Sequence, residues 1–259
     1  MNDKTKYIVG TSGYSFGDWV GPFYPPGTKS GEMLGLYAER FAAVELNFTF
    51  YRMPTARTIA SMDRRTPAGF AFWVKANQII THEHERAPIR EFVDGLAPLR
   101  EGGKLAGVLL LFPQSFHRTV ANRKFLSDVL GDFAPLPTAV EFRHCSWEHP
   151  ATLEGLRQRD ASLVVPDVPN LQSLYHGPAA ATNRTGYLRL HSRNADLWYA
   201  GAVERYDYSY SDADLRSFLD EWSNVAEDTD RVYAFFNNCH RGQAAQNAES
   251  FRRILGQIE

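Results

Sequence analysis

The chain is poor in cysteine, holds no sustained apolar run and has almost no surplus of charge. Only Cys145 and Cys239 carry thiols among 259 residues. At most one disulfide can form, and these thiolates alone cannot build a four-thiolate zinc or iron–sulfur centre. No stretch approaches the roughly 18 apolar residues of a membrane-spanning helix. The opening Met1-Asn2-Asp3-Lys4-Thr5-Lys6 enters Tyr7-Ile8-Val9-Gly10 without the apolar core of a secretory leader. A cytoplasmic protein with no membrane partner is the resulting expectation. Lys and Arg total 28 against 30 Asp and Glu, a net charge of −2. Proteins that wrap duplex nucleic acid carry a strong basic excess, so any polyanion contact must here be local.

What is present is an ordinary globular composition, 44% hydrophobic and 22% charged. That excludes a disordered chain, a collagen-like repeat and a disulfide-stapled mini-domain. A chain of this length buries roughly three quarters of the surface its unfolded form exposes, so its core needs no staple. Short apolar runs fall at residues 7–12, 43–51, 70–77, 106–112, 138–143, 162–167, 186–191 and 231–238. Between them apolar residues recur at helical spacing. Leu215, Phe218, Leu219, Trp222 and Val225 form the clearest set, with Ser211 and Asp214 ahead of them as a capping pair. Ile89 to Leu96, Phe125 to Leu130 and Ala244 to Leu255 repeat the pattern. Residues 169–185, rich in Pro, Gly and Asn, suit a long loop as well as a helix. Eight strands alternating with helices over this length predict an α/β fold, a single (β/α)8 barrel formed by residues 1–259. A doubly wound sheet is disfavoured, since Gly10-Thr11-Ser12-Gly13 lacks the spacing of its phosphate loop.

Strands covered on both faces should be almost wholly apolar. Several of these runs instead carry polar residues with a period of two: Glu45, Asn47, Thr49 and Tyr51; Glu141 and Arg143; Arg189 and His191. Their apolar neighbours must face the helices, because unpaired charge buried there would cost several kcal/mol. The polar parity then points into the barrel or its mouth. Thr11, Lys75, Asp167, Asn237 and Asn238 end other strands, and the loops add Tyr14, Arg52, His82, His144 and Trp147. Reacting groups of barrel enzymes gather at the C-terminal strand ends.

The runs Val9-Gly10-Thr11-Ser12-Gly13-Tyr14, Val44-Glu45-Leu46-Asn47-Phe48-Thr49-Phe50-Tyr51-Arg52 and Phe72-Trp73-Val74-Lys75 resemble motifs of one family. So do Glu141-Phe142-Arg143-His144 with Ser146-Trp147, Tyr187-Leu188-Arg189-Leu190-His191, and Asn237-Asn238 with Gly242. In order along nearly the whole chain, they are similar to the YecE-like family, domain of unknown function 72. That resemblance implies a TIM-barrel-like fold and no assigned activity.

The residues themselves narrow the chemistry. Glu45 and Glu141 lie on the second and fifth strands, away from the fourth and seventh where barrel glycosidases usually place their pair. Glu45, His82, Glu141, Asp167 and His191 offer a mixed ligand set for a metal, but Arg143 and Arg189 would share and repel that site. No metal and no cofactor is therefore expected. Guanidinium forks suit phosphate and carboxylate, and the last helix, opening near Gly242, offers backbone N–H groups to an anion. The expectation is an enzyme for a small anionic substrate. Arg143 and Arg189 would clamp the anion, Glu45, Glu141 and His191 would do acid–base work, and Lys75 and Asn238 would stabilise developing charge. Asn47, Tyr51, Arg52, His82, His144, Trp147, Asp167, Asn237, Thr11 and Tyr14 complete the binding set. Loop aromatics beside these cations leave single-stranded or damaged nucleic acid as the alternative partner.

Overall fold

In the computed structural model, which describes residues 6–259, eight parallel strands close into a barrel in sequence order. The polar start 1–5 lies outside the described residues. The strands are β1 (Tyr7–Ser12), β2 (Ala43–Leu46), β3 (Ala71–Lys75), β4 (Leu105–Leu111), β5 (Thr138–Glu141), β6 (Ser162–Asp167), β7 (Thr185–Leu190) and β8 (Arg231–Phe236). β8 pairs back onto β1, with Val9 opposite Ala234 and Gly10 opposite Phe235. Outside run α1 (Ser30–Arg40), α2 (Ala56–Arg64), α3 (Gln78–Thr81), α4 (Ile89–Gly95), α5 (Ala97–Glu101), α6 (Val120–Phe133) and α7 (Pro150–Arg157). After β7 come α8 (Ala202–Tyr206), α9 (Asp212–Glu221) and α10 (Ser223–Asp228), and α11 (Gln243–Ile254) follows β8. Among the described residues no helix is long and apolar enough to cross a membrane.

Alternation along the strands divides the core in two. Val9, Val44, Leu46, Phe72, Val74, Val140, Leu188 and Phe236 face outward and meet the helices. The other parity fills the barrel with Ala43, Trp73, Leu109, Ala139, Val164, Tyr187, Tyr233 and Phe235. The Val, Leu and Phe side chains among these each contribute on the order of 1.5–3 kcal/mol through burial. Trp73 stands edge-on to Tyr187 and Tyr233 at ring separations of 4.7 and 5.6 Å. Its indole also explains Gly107 on β4, where an added Cβ would come within 2.5 Å of the ring.

Local chemistry sets the helix boundaries. Ser211 and Asp214 form a reciprocal capping box at α9. Thr119 accepts from Asn122 N–H at the start of α6. The 168–184 connection between β6 and β7 contains no helix. It is held by buried Leu174 and Tyr175, the latter 5.9 Å from Phe142, and by Thr182, whose hydroxyl donates to Ala161 O and accepts from Leu163 N.

Candidate functional site

The interior parity of β2, β3, β5 and β7 brings Glu45, Lys75, Glu141, Arg189 and, one step past the strand, His191 to the C-terminal end of the barrel. Arg189 is 1% exposed and bridges the two carboxylates. It donates through Nη2 to Glu45 Oε1 at 2.7 Å and through Nη1 to Glu141 Oε2 at 2.5 Å. Tyr187 donates its hydroxyl to Glu45 Oε2 at 2.6 Å. The other oxygen of Glu141 receives Arg143 Nη2 at 2.8 Å and faces His191 Nε2 at 3.1 Å. Asn237 places Nδ2 2.9 Å from His191 Nδ1. An amide nitrogen can only donate, so with this amide orientation the imidazole proton falls on Nε2, which faces Glu141 and also lies 3.3 Å from Arg143 Nη2.

These contacts fix the protonation states. Burial alone would raise the Glu141 carboxyl, but Arg143, Arg189 and His191 outweigh it and hold it well below the usual range. Burial, then Arg143, depresses His191 to about 3, so it is neutral near pH 7. Burial also lowers Arg189, yet Glu141 and Glu45 more than reverse this and keep it charged. Lys75 differs from all of them. Burial and Arg189 push its amine down to about 7 despite the neighbouring glutamates. Its Nζ lies 4.0 Å from the centre of the Phe50 ring and has no hydrogen bond or ion pair among the described residues. His82 packs edge-on against that same ring at 4.9 Å, and burial, then Lys75, lowers it to about 4.

The roof comes from the loop after β7. Trp198 and Tyr206 pack over His191 at ring separations of 6.4 and 6.1 Å. Arg205 lies on Trp198 and donates to its carbonyl. Beside this cluster, Tyr14, Asn47, Tyr51 and Arg52 share an open groove of about 680 Å³ between the loops after β1 and β2.

Other expected residues stand elsewhere. β2 ends at Leu46 and a 3-10 turn, Phe48–Phe50, follows, so the alternation stops and Tyr51 is 73% exposed at the groove edge. Thr11 has the outward parity and bonds Tyr37 of α1 at 3.0 Å. Asp167 also turns outward, to Arg193 at 2.9 Å and Tyr210 at 2.7 Å. Asn238 reaches Tyr208 O and Asn247 of α11. Trp147 is buried between Phe142 and Phe116 and donates to Phe116 O. His144 stacks on His117 at 3.8 Å, at the rim. With Asp167 turned away, no group of three His, Cys, Asp or Glu among the described residues is arranged to hold a metal. At the start of α11, Gly242 adopts φ +78°, and protein carboxylates already stand there. Asp18 accepts from Arg241 N–H and Asp207 accepts from Gln243.

Tyr187 and Phe50 lie outside the site residues that the sequence pattern singles out. Tyr187 shares the parity of Arg189 and His191, a signal that was present. Phe50 reaches Lys75 only because the chain turns after Leu46, which alternation could not reveal.

Comparison with known proteins agrees with this architecture. A DUF72 family protein from Thermotoga maritima MSB8, known from its crystal structure, superposes with a TM-score of 0.89 at 37% identity, covering 96% of this chain and 99% of that one. Another from Enterococcus faecalis V583 gives 0.85 at 25% identity, covering 98% and 96%. The UPF0759 protein YunF of Bacillus subtilis (strain 168) is 29% identical over 95% of this chain and 94% of its own length. Residues 8–259 match the family described as protein of unknown function DUF72, and the chain belongs to that family.

Proposed function

We propose that the barrel mouth binds and transforms a small anionic substrate carrying a phosphate or carboxylate. The observation that carries this reading is Lys75: a largely buried amine that no carboxylate neutralises, although Glu45 and Glu141 both stand close enough to influence it. Those glutamates are already engaged by Arg189, Tyr187, Arg143 and His191. Their role is to anchor the cations, and the proton-transfer role passes to Lys75. An amine titrating near neutrality both accepts and returns a proton at working pH. Arg143, half-buried at the rim and bound to Glu141 through Nη2, offers its remaining guanidinium donors to an oxyanion. Neutral His191, oriented by Asn237, holds the floor of the site beneath Trp198.

The nucleic-acid alternative draws less support. Arg189 is spent on two carboxylates, and the cations left at the mouth are few for a polyanion.

A thermal-shift panel of phosphorylated and carboxylated metabolites tests the reading on wild type, Arg143→Ala and Lys75→Met. A ligand at a hundred times its dissociation constant stabilises by about 2.7 kcal/mol. One anion should stabilise wild type and bind at least tenfold more weakly to Arg143→Ala. A panel without effect, or stabilisation that Arg143→Ala leaves intact, contradicts it. A response confined to oligonucleotides, steeply dependent on salt, puts the alternative in its place.

A further inference from the structure

A second site stands on the outer wall, away from the mouth cluster. Between α6 and α7 lies a cavity of about 230 Å³ whose floor is apolar, made by Leu126, Leu130, Leu156 and Trp147. Its rim holds Arg118, Arg123 and Arg159, and no Asp or Glu lines it. None of the three arginines pairs with a carboxylate among the described residues. The acids on these helices are occupied: Asp128 takes Arg86 and Lys124, Asp132 takes Arg86, and Glu154 takes Gln158. Only Arg159 has its head group held, by the carbonyl and hydroxyl of Ser127.

Two residues of the lining each carry a buried polar atom that has no partner. Thr152 is 5% exposed and its hydroxyl makes no hydrogen bond. Arg118 Nε is likewise buried and unbonded. A buried donor without an acceptor is unfavourable, and an acceptor bound in this cavity would relieve it once the side chain turns to meet it. Hydroxyl, guanidinium and apolar floor together describe one ligand chemistry. We propose that the α6–α7 cavity binds a small amphiphilic anion, an aromatic or short aliphatic body with a carboxylate or phosphate head. A cavity of about 150 Å³ holds benzene, so this one has space for a ring and its acidic substituent. Leu126, Leu130 and Leu156 take the body, and the arginines with Thr152 take the head.

Gly155 supplies the decisive variant. It lines the cavity on α7, and a Cβ built there meets nothing within 4 Å. The side chain of Gly155→Leu therefore starts into open space on the cavity wall and occupies the cavity, and the change raises helix propensity. The experiment titrates wild type with 4-fluorobenzoate, observed by fluorine NMR, and competes it with phenyl phosphate and with inorganic phosphate. Saturable binding is expected, abolished in Gly155→Leu and weakened at least tenfold when Arg118 and Arg123 are both changed to Gln. Thr152→Val, near in volume, should weaken it several-fold and serves if the filled variant fails to fold. Stronger competition by phenyl phosphate identifies a phosphate monoester as the preferred head, and weaker competition a carboxylate. Competition by inorganic phosphate equal to that of phenyl phosphate overturns the role of the apolar floor. Absence of saturable binding overturns the proposal. Binding that survives in Gly155→Leu but is lost in Arg143→Ala also overturns it, because the probe then sits in the mouth. Neither result bears on whether a different anion binds at Lys75.

Discussion

Arg189 and Glu141 meet at 2.5 Å inside the C-terminal end of the barrel, both almost wholly removed from solvent. The pair spans β5 and β7, strands that do not neighbour each other in the sheet. The arginine's second nitrogen extends the bridge to β2 through Glu45. Removing one partner of a buried ion pair leaves an uncompensated charge and costs about 3–5 kcal/mol. Arg189→Met should therefore lower stability by that order in urea unfolding. Adding Glu45→Gln and Glu141→Gln to it should recover part of the loss, since both carboxylates that Arg189 neutralises are then uncharged and Arg143 alone loses its carboxylate. A triple variant less stable than the single one would contradict this account.

Lys75 should titrate near pH 7 rather than near its ordinary value of 10.5. Dimethylation with carbon-13 formaldehyde gives each lysine an NMR signal whose shift follows its protonation. One signal with a neutral midpoint, missing in Lys75→Met, is the expected result. In Arg189→Met the midpoint should rise, because the guanidinium is among the causes of the depression.

His191 makes stability depend on pH in a defined direction. Its folded pKa is depressed to about 3 from 6.5, so the unfolded chain binds a proton between those values that the native protein refuses. Its contribution is present above pH 6.5 and is lost as pH falls towards 3. By linkage it accounts for about 2 kcal/mol of the stability lost between pH 7 and pH 5. Unfolding free energies from urea titrations at those two pH values should lie closer together in His191→Gln by this amount. An unchanged pH dependence would mean that the imidazole is already charged in the native state.

Gly107→Ala tests the packing of the barrel interior. The added methyl meets the Trp73 ring at 2.5 Å and the Pro137 carbonyl at 2.7 Å. Overpacking of this kind costs about 1–3 kcal/mol, measurable as a lowered unfolding midpoint. Gly131→Ala, on α6 where the Cβ meets nothing, should be neutral or stabilising.

Much of this arrangement is legible in the sequence because barrel strands alternate. In β5 and β7 the parity carries through the strand end, so Arg143 and His191 fall beside Glu141 as the spacing requires. β1, β6 and β8 show the limit of that rule. Thr11, Asp167 and Asn238 close those strands with polar groups of the outward parity, and each finds its partner in the helical layer or in the loop after β7. Position at a strand end is therefore a weaker guide than parity. Trp147 shows a different limit: an aromatic residue in a loop reads as exposed, yet Phe116 and Phe142 enclose it. The exhaustion of Glu45 and Glu141 by Arg189 is a matter of three-dimensional reach, and no one-dimensional pattern records it.

The helix-free span from β6 to β7 gives the barrel one wall with different engineering. A helical wall changes length only in steps that rotate its buried face by about 100° per residue, so single insertions there misplace the core. The 168–184 strap has no such phase to keep. It also carries Ser173, whose hydroxyl meets Gln114 and Tyr199, tying the roof loop to the strand ends. The strap is thus a tether of adjustable length between a fixed frame and the cover over its mouth. A residue added near Asn170 falls between β6 and Ser173, which Cys145 N–H holds by its carbonyl, so the extra length is taken up ahead of the roof contact and the charged centre stays in register.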